Sequence, residues 1–352
     1  MHDRIDAILA SAPVSRDDGK QIGQSREGRA IRAFRFGSGL KRVSLIGGCH
    51  ADEPVGPRFL RHLVGYLAHL PTADLLLEDY QWWVVPHVNP DGEKRNRLWH
   101  RDEDRAYDIA AYLSNVVREM PGDDIEFGFP RNESDTRARP ENRALYDWWR
   151  SQEVSFALHV SMHGMGFAAG PWFLIDESWK DRCHRLKERC STKAAELGYV
   201  LHDVDRQGEK GFVRLVRGFC TRPDSRYMRK HFLDLGDEET AGLFRPSSME
   251  TIRSLGNDPL TLVTEMPLFI TPGVGEQLGP PDPAATEWKS RIDSWRILLQ
   301  NEAGAAAVAA EAAASGLRAM PVRDQMVLQW TLIAAGLEQV TGEAIRLPEE
   351  AG

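Results

Sequence analysis

Apolar positions along this chain change period several times, and the changes mark out alternating strands and helices. Val43-Ser44-Leu45-Ile46 is an apolar run of strand length that stops at Gly47-Gly48, and Pro57 to Leu67 then carries apolar residues at helical spacing. Upstream, Ile31, Ala33 and Phe34 open a strand after a turn at Gln24-Ser25-Arg26-Glu27-Gly28-Arg29. Gln81 to Val88 is nearly all apolar, which predicts a strand covered on both faces near the middle of a sheet. It ends at Asn89-Pro90-Asp91-Gly92, four turn formers in a row. Arg139-Pro140-Glu141 begins a helix, with Pro140 suited to its first turn. Phe156 to His163 reads as a further strand ended by Gly164-Met165-Gly166, and Thr261 to Pro267 as the last clear one. The alternation predicts an α/β domain.

Beyond Pro280 the pattern is different. Glu302 to Ala314 is alanine-rich and Met326 to Val340 is apolar at helical spacing, which predicts a helical C-terminal extension joined through Gly279-Pro280-Pro281-Asp282-Pro283. The expected division is therefore a domain over 1–278 and helices over 284–345.

Charge and cysteine content narrow the class. A formal net charge of −8 gives no electrostatic pull toward nucleic acid or an anionic membrane, and no run of eighteen apolar residues predicts a membrane span. Met1-His2-Asp3-Arg4-Ile5-Asp6 has no cationic start followed by an apolar core, so a cytoplasmic location is expected. Cys49, Cys183, Cys190 and Cys220 form no Cys-x-x-Cys pair, and reduced thiols are the simple reading. Cys49 reads as a small buried residue of a tight turn.

Candidate chemistry clusters where strands stop. His50 and Glu53 lie at a strand-to-helix junction, the kind of place where an α/β sheet holds ligands. An imidazole and a carboxylate in one turn can face a single point, which is two thirds of a catalytic zinc site. By itself the pair is equally compatible with a surface or capping role. With a period of two, His159, Ser161 and His163 share one strand face, and His163 stands at the carboxyl end, level with His50. Glu265 follows an apolar run, where a carboxylate is unusual. From Glu93 to Arg105 the chain is densely charged, either a solvated loop or a segment that puts one arginine over a cleft.

Taken together, these motifs resemble the carboxypeptidase A-like zinc metallopeptidases over roughly residues 20 to 270. The resemblance is carried by Ser25-Arg26-Glu27-Gly28-Arg29, Gly47-Gly48-x-His50-x-x-Glu53-Pro54, Asn89-Pro90-Asp91-Gly92, Pro140-Glu141, Ser161-Met162-His163 and Thr264-Glu265-Met266-Pro267. It implies a mixed, largely parallel central sheet flanked by helices, and one Zn2+ per chain held by His50, Glu53 and His163. It also implies that Glu265 is the general base and that an arginine after Asn89-Pro90-Asp91-Gly92 stabilises the oxyanion. Arg97 is assigned that place, with Arg95 and Arg101 as neighbouring alternatives. In the best-known members an arginine follows a Leu-Trp pair, and here that position is His100.

The chain departs from the family where substrate is held. Family carboxypeptidases use an asparagine and an arginine of an Asp-Leu-Asn-Arg-Asn-Phe-Pro segment to grip the terminal carboxylate. This chain reads Asp124-Ile125-Glu126-Phe127-Gly128-Phe129-Pro130. Glutamate in place of a carboxylate-gripping residue would repel the same group. Glu126, Glu250 and Arg101 are accordingly expected to bind substrate, with the two glutamates favouring a cationic or neutral group beside the scissile amide. The reading is a zinc-dependent hydrolase of a peptide or small amide. Its alternatives are a deacylase of N-acyl amino acids, of the succinylglutamate desuccinylase and aspartoacylase type, and a binding protein on an inactive scaffold.

Overall fold

The computed structural model describes residues 2–152, 154–203, 205–276, 278–279 and 282–342. Residues 280–281 of the expected linker and 343–345 of the expected helical extension lie outside the described residues. Ten strands form one sheet: β1 (Lys20–Gln24), β2 (Ala30–Phe36), β3 (Lys41–Gly47), β4 (Tyr80–Val85), β5 (Leu158–Ala168), β6 (Trp172–Ile175), β7 (Arg214–Val216), β8 (Phe219–Thr221), β9 (Leu260–Ile270) and β10 (Arg318–Ala319). Their order is β1-β2-β4-β3-β5-β9-β6-β8-β7, with β10 beside β9. The central four, β4-β3-β5-β9, are parallel, and antiparallel pairs join β1, β2 and β6 on either side. The alternation implied an α/β domain, and the mixed sheet with a parallel centre is what the family resemblance implied.

The parallel centre is apolar on both faces, because helices cover both. Val43, Leu45, Trp82, Val84, Leu158 and Val160 pack with Phe59, Leu60 and Leu63 of helix Val55–His69. The alternate residues Ile46, Trp83 and Val85 point the other way, onto Leu145 and Trp149 of helix Pro140–Arg150.

Two expectations are revised by the packing. The C-terminal helices are built into the main core, not hung from it. Met326, Leu328, Leu332 and Ile333 of helix Val322–Thr341 belong to the same apolar cluster as Leu158 and Leu262. A Cβ on Gly336 would lie 3.0 Å from Leu262 and 3.1 Å from Leu158, so this helix sits directly on the sheet. The change of composition marked helix content rather than an independent unit.

Strand β5 also runs on through Gly164-Met165-Gly166 to Ala168, paired throughout with β9. The glycines make room instead of a turn: a Cβ on Gly164 would meet the Met266 carbonyl at 2.9 Å, and one on Gly166 the Tyr112 hydroxyl at 2.6 Å. Because β3 ends at Gly47, β5 and β9 extend beyond it as a paired wall. His163 and Glu265 are register partners on that wall. No helix among the described residues is long and apolar enough to cross a membrane.

Candidate metal centre

The turn after β3 is set by a close approach. Gly48 has φ +72°, and a Cβ there would fall 2.5 Å from the His87 ring, so only glycine fits. The chain then turns through His50 to Glu53, where the Glu53 N–H donates to the His50 carbonyl at 3.4 Å, and enters helix Val55–His69. His50 Nδ1 lies 2.7 Å from one Glu53 oxygen, and His163 Nδ1 lies 2.9 Å from the other. The two Nδ1 atoms are 3.2 Å apart. Side-chain exposure falls from 15% for His50 to 3% for His163 and 2% for Glu53. Three residues from separate parts of the chain thus converge on one point that opens on the His50 side.

Each imidazole is also held from behind. His50 Nε2 is 3.3 Å from Asp124, and His163 Nε2 is 2.8 Å from the Ser161 hydroxyl and 3.3 Å from Glu126. Carboxylates on the outer nitrogens fix which nitrogen faces inward, as metal-ligating histidines require.

Burial disfavours charge on either imidazole, yet Glu53 together with Asp124 at His50, and together with Cys49 and Glu126 at His163, raises both well above the ordinary histidine value. Glu53 is itself lowered: burial would raise it, and the two imidazoles more than reverse that. The Glu265 carboxyl is pushed up to about 8 by burial and by Glu53, partly offset by the histidines and Arg118. Two imidazoles and a carboxylate gathered in this way suit a divalent zinc. A second grouping, Cys49 with Glu126 and His163, is wholly buried. Its Glu126 is already neutralised by Arg222 at 2.7 Å, and burial raises the Cys49 thiol, so the open grouping is the candidate.

The predicted arginines are elsewhere. Arg95 pairs with Glu27 at 2.7 Å, and Arg101, 70% exposed, faces Glu103 and Asp104. Arg97 lines a cavity of about 520 Å3 with Arg16, Arg61, His87 and Glu93, which none of His50, Glu53 and His163 borders. Arg118 stands at the centre instead. Its guanidinium is 3.1 Å from Asp52, 3.5 Å from Glu53 and 3.4 Å from His50 Nδ1. Burial works against its charge, but Glu53, Asp52 and Glu265 raise its pKa. The Asn-Pro-Asp-Gly turn helps place it. Asn96 in the helix that follows bonds both the N–H and the carbonyl of Val117, at 2.9 Å each. The Asn89 amide donates to Glu119 at 2.6 Å, and Glu119 in turn accepts the Ala51 N–H at 2.9 Å.

Other sequence marks are scaffold. Asp91 accepts the Ser25 hydroxyl, the Glu27 N–H and Arg29, while Glu141 accepts the Arg26 N–H, so the turn at 25–29 is pinned from two sides. Glu250 closes a capping box with Ser247 at helix Ser248–Ser254 and accepts from Ser225, which accounts for both of its oxygens. Glu126 is buried among Arg222, Ser248, Ser161 and His163, not presented to a substrate.

Residues 15–173 match the family model for zinc carboxypeptidases, a span that contains the whole ligand set. Over that span the chain is similar to the zinc carboxypeptidases. Among its relatives are carboxypeptidase SOL1 of Arabidopsis thaliana, 29% identical over 36% of this chain and 24% of that one, and inactive metallocarboxypeptidase ecm14 of Talaromyces marneffei, 30% identical over 34% and 22%. The match spans only about a quarter of each relative. In fold, the chain is similar to the crystal structure of a candidate metallopeptidase from Shewanella amazonensis SB2B. That likeness has a TM-score of 0.51 at 13% identity and covers 98% of this chain and 94% of the other.

Proposed function

We propose that this chain is a zinc-dependent hydrolase of peptide or other amide bonds, with His50, Glu53 and His163 holding the metal. The observation that carries the reading is the convergence of two Nδ1 atoms on the two oxygens of one buried carboxylate, with Glu265 on the adjacent strand. Zinc at such a site supplies Lewis acidity, polarising the scissile carbonyl and acidifying water. Glu265 is the general base: it takes a proton from the attacking water and returns it to the leaving nitrogen. Arg118, braced by Asp52, takes the oxyanion role in place of Arg97, a contribution typically of about 3 kcal/mol.

Substrate recognition departs from that of ordinary carboxypeptidases. Phe127 offers no donor to a terminal carboxylate, and Glu126 is closed off by Arg222 and Ser248. Among the described residues, Arg118 is the one guanidinium hydrogen-bonded to the ligand set, and it is already committed to the oxyanion. The preferred substrate therefore lacks an obligatory free α-carboxylate beside the scissile bond. The test compares hydrolysis of acyl-amino acids and short peptides with that of their C-terminal amides by zinc-loaded protein, with Glu265→Gln as control. Comparable or faster turnover of the amides is expected, and a strong preference for the free acids would reject this specificity.

A further inference from the structure

Glu126 and Arg222 are buried opposite charges that take no part in the chemistry above. Their hydrogen bonds account for every polar atom around them. One Glu126 oxygen accepts from Arg222 at 2.7 Å and from the Ser248 hydroxyl at 2.8 Å. The other accepts from the Ser161 hydroxyl at 3.3 Å and stands 3.3 Å from His163 Nε2. Ser161 links the two, since its oxygen lies 2.8 Å from the same Nε2. Behind them, Ser248 Oγ also meets Arg222 at 2.6 Å and His159 Nε2 at 3.0 Å, while His159 Nδ1 faces the Ser44 hydroxyl at 3.1 Å. Burial and Arg222 hold His159 well below the ordinary histidine value, and the Ser248 hydroxyl beside its Nε2 donates to Glu126. The donors converge on the Glu126 carboxylate, whose second oxygen stands beside the outer nitrogen of His163.

Asp124 does the same for His50 at 3.3 Å. Two residues apart on one segment, Asp124 and Glu126 each take one imidazole, and Ile125 between them is buried in the core.

We propose that Glu126 is a positioning residue of the metal centre: with Arg222 and Ser248 fixing its carboxylate, it holds His163 so that Nδ1 faces Glu53 and His50. The position where relatives grip a substrate carboxylate is thereby spent on orienting a ligand. This rests on the reading that His50, Glu53 and His163 bind a divalent cation. It goes further by predicting that the affinity for that cation depends on a residue that does not touch it.

The experiment measures zinc affinity by competition with a chromophoric chelator for the full chain, Glu126→Gln, Asp124→Asn and the double variant Glu126→Gln/Arg222→Met. Glu126→Gln alone strands a buried guanidinium, so the double variant, which leaves no unpaired charge, is read in its place if the single one does not fold. Circular dichroism and melting identify the folded variants. Folded Glu126→Gln, or the double variant, is expected to bind zinc about 10- to 100-fold more weakly, as is Asp124→Asn. The visible bands of the cobalt(II) form should shift with the changed ligand geometry. A folded variant with wild-type zinc affinity and an unchanged cobalt spectrum, differing only in melting temperature, would make the pair a stability feature and overturn the proposal. Failure of the wild-type chain to bind zinc would instead strike the parent reading, which separates the two.

Discussion

Two regions meet at the candidate metal centre, and they place their side chains by different means. The turn after β3 supplies His50 and Glu53, and the middle of β5 and of β9 supplies His163 and Glu265. The long connection between β4 and helix Pro140–Arg150 supplies Arg118, Asp124 and Glu126. In the first region sheet register does the positioning: His163 and Glu265 are neighbours because Val160 pairs with Leu262 and Ser161 with Val263. In the second there is no ladder, and individual polar side chains take over, with Asn96 and Asn89 holding the chain around Arg118. The rigid part presents the reacting groups, and the tethered part presents the groups that tune them.

The contrast can be broken from either side. The largest effect is expected at Glu265: Glu265→Gln should lower kcat by about 10²- to 10⁴-fold with zinc content unchanged, measured by steady-state kinetics and metal analysis. Arg118→Ala should cost about 10²- to 10³-fold in kcat, whereas Arg97→Ala should leave it unchanged; equal losses in the two variants would return the oxyanion role to the charged segment. Acidification comes next. His50 and His163 have pKa values raised by Glu53 and its neighbours, so protons compete with zinc for the same nitrogens. Zinc affinity is therefore expected to fall as pH drops from 8 to 6, by roughly one to two decades per unit for one or two displaced protons, and a flat profile would exclude these ligands. The smallest effect belongs to Glu250→Ala, which removes a capping box and should cost about 1 kcal/mol of stability, read as a lower Tm, with substrate preference unaltered.

What could be read from the sequence follows the same division. Strands announce themselves by apolar runs, and a histidine or glutamate at a fixed place in such a run inherits its direction. His50, Glu53, His163 and Glu265 could therefore be named, and the structure brings them together. Arg118 has no such pattern: it sits in an irregular loop, and its position depends on Asn89 and Asn96 more than twenty residues earlier. The charged run from Glu93 to Arg105 draws attention to arginines that pair with Glu27, Glu103 and Asp104 or line another cavity, since charge density along a segment says nothing about which side chain folds back. Glu126 was visible as a departure from the family pattern, but its sign was misjudged because Arg222, which neutralises it, lies 96 residues away. The C-terminal helices were legible as helices. That they complete the core under β5 and β9 was not, because amphipathic spacing does not name the partner face.

The most direct test of the account is the zinc content of the purified chain after chelation and re-addition of metal, compared with His50→Ala and His163→Ala. One tightly held zinc per chain, lost in both variants, is the predicted result. No zinc above background, or equal zinc in all three proteins, would contradict it.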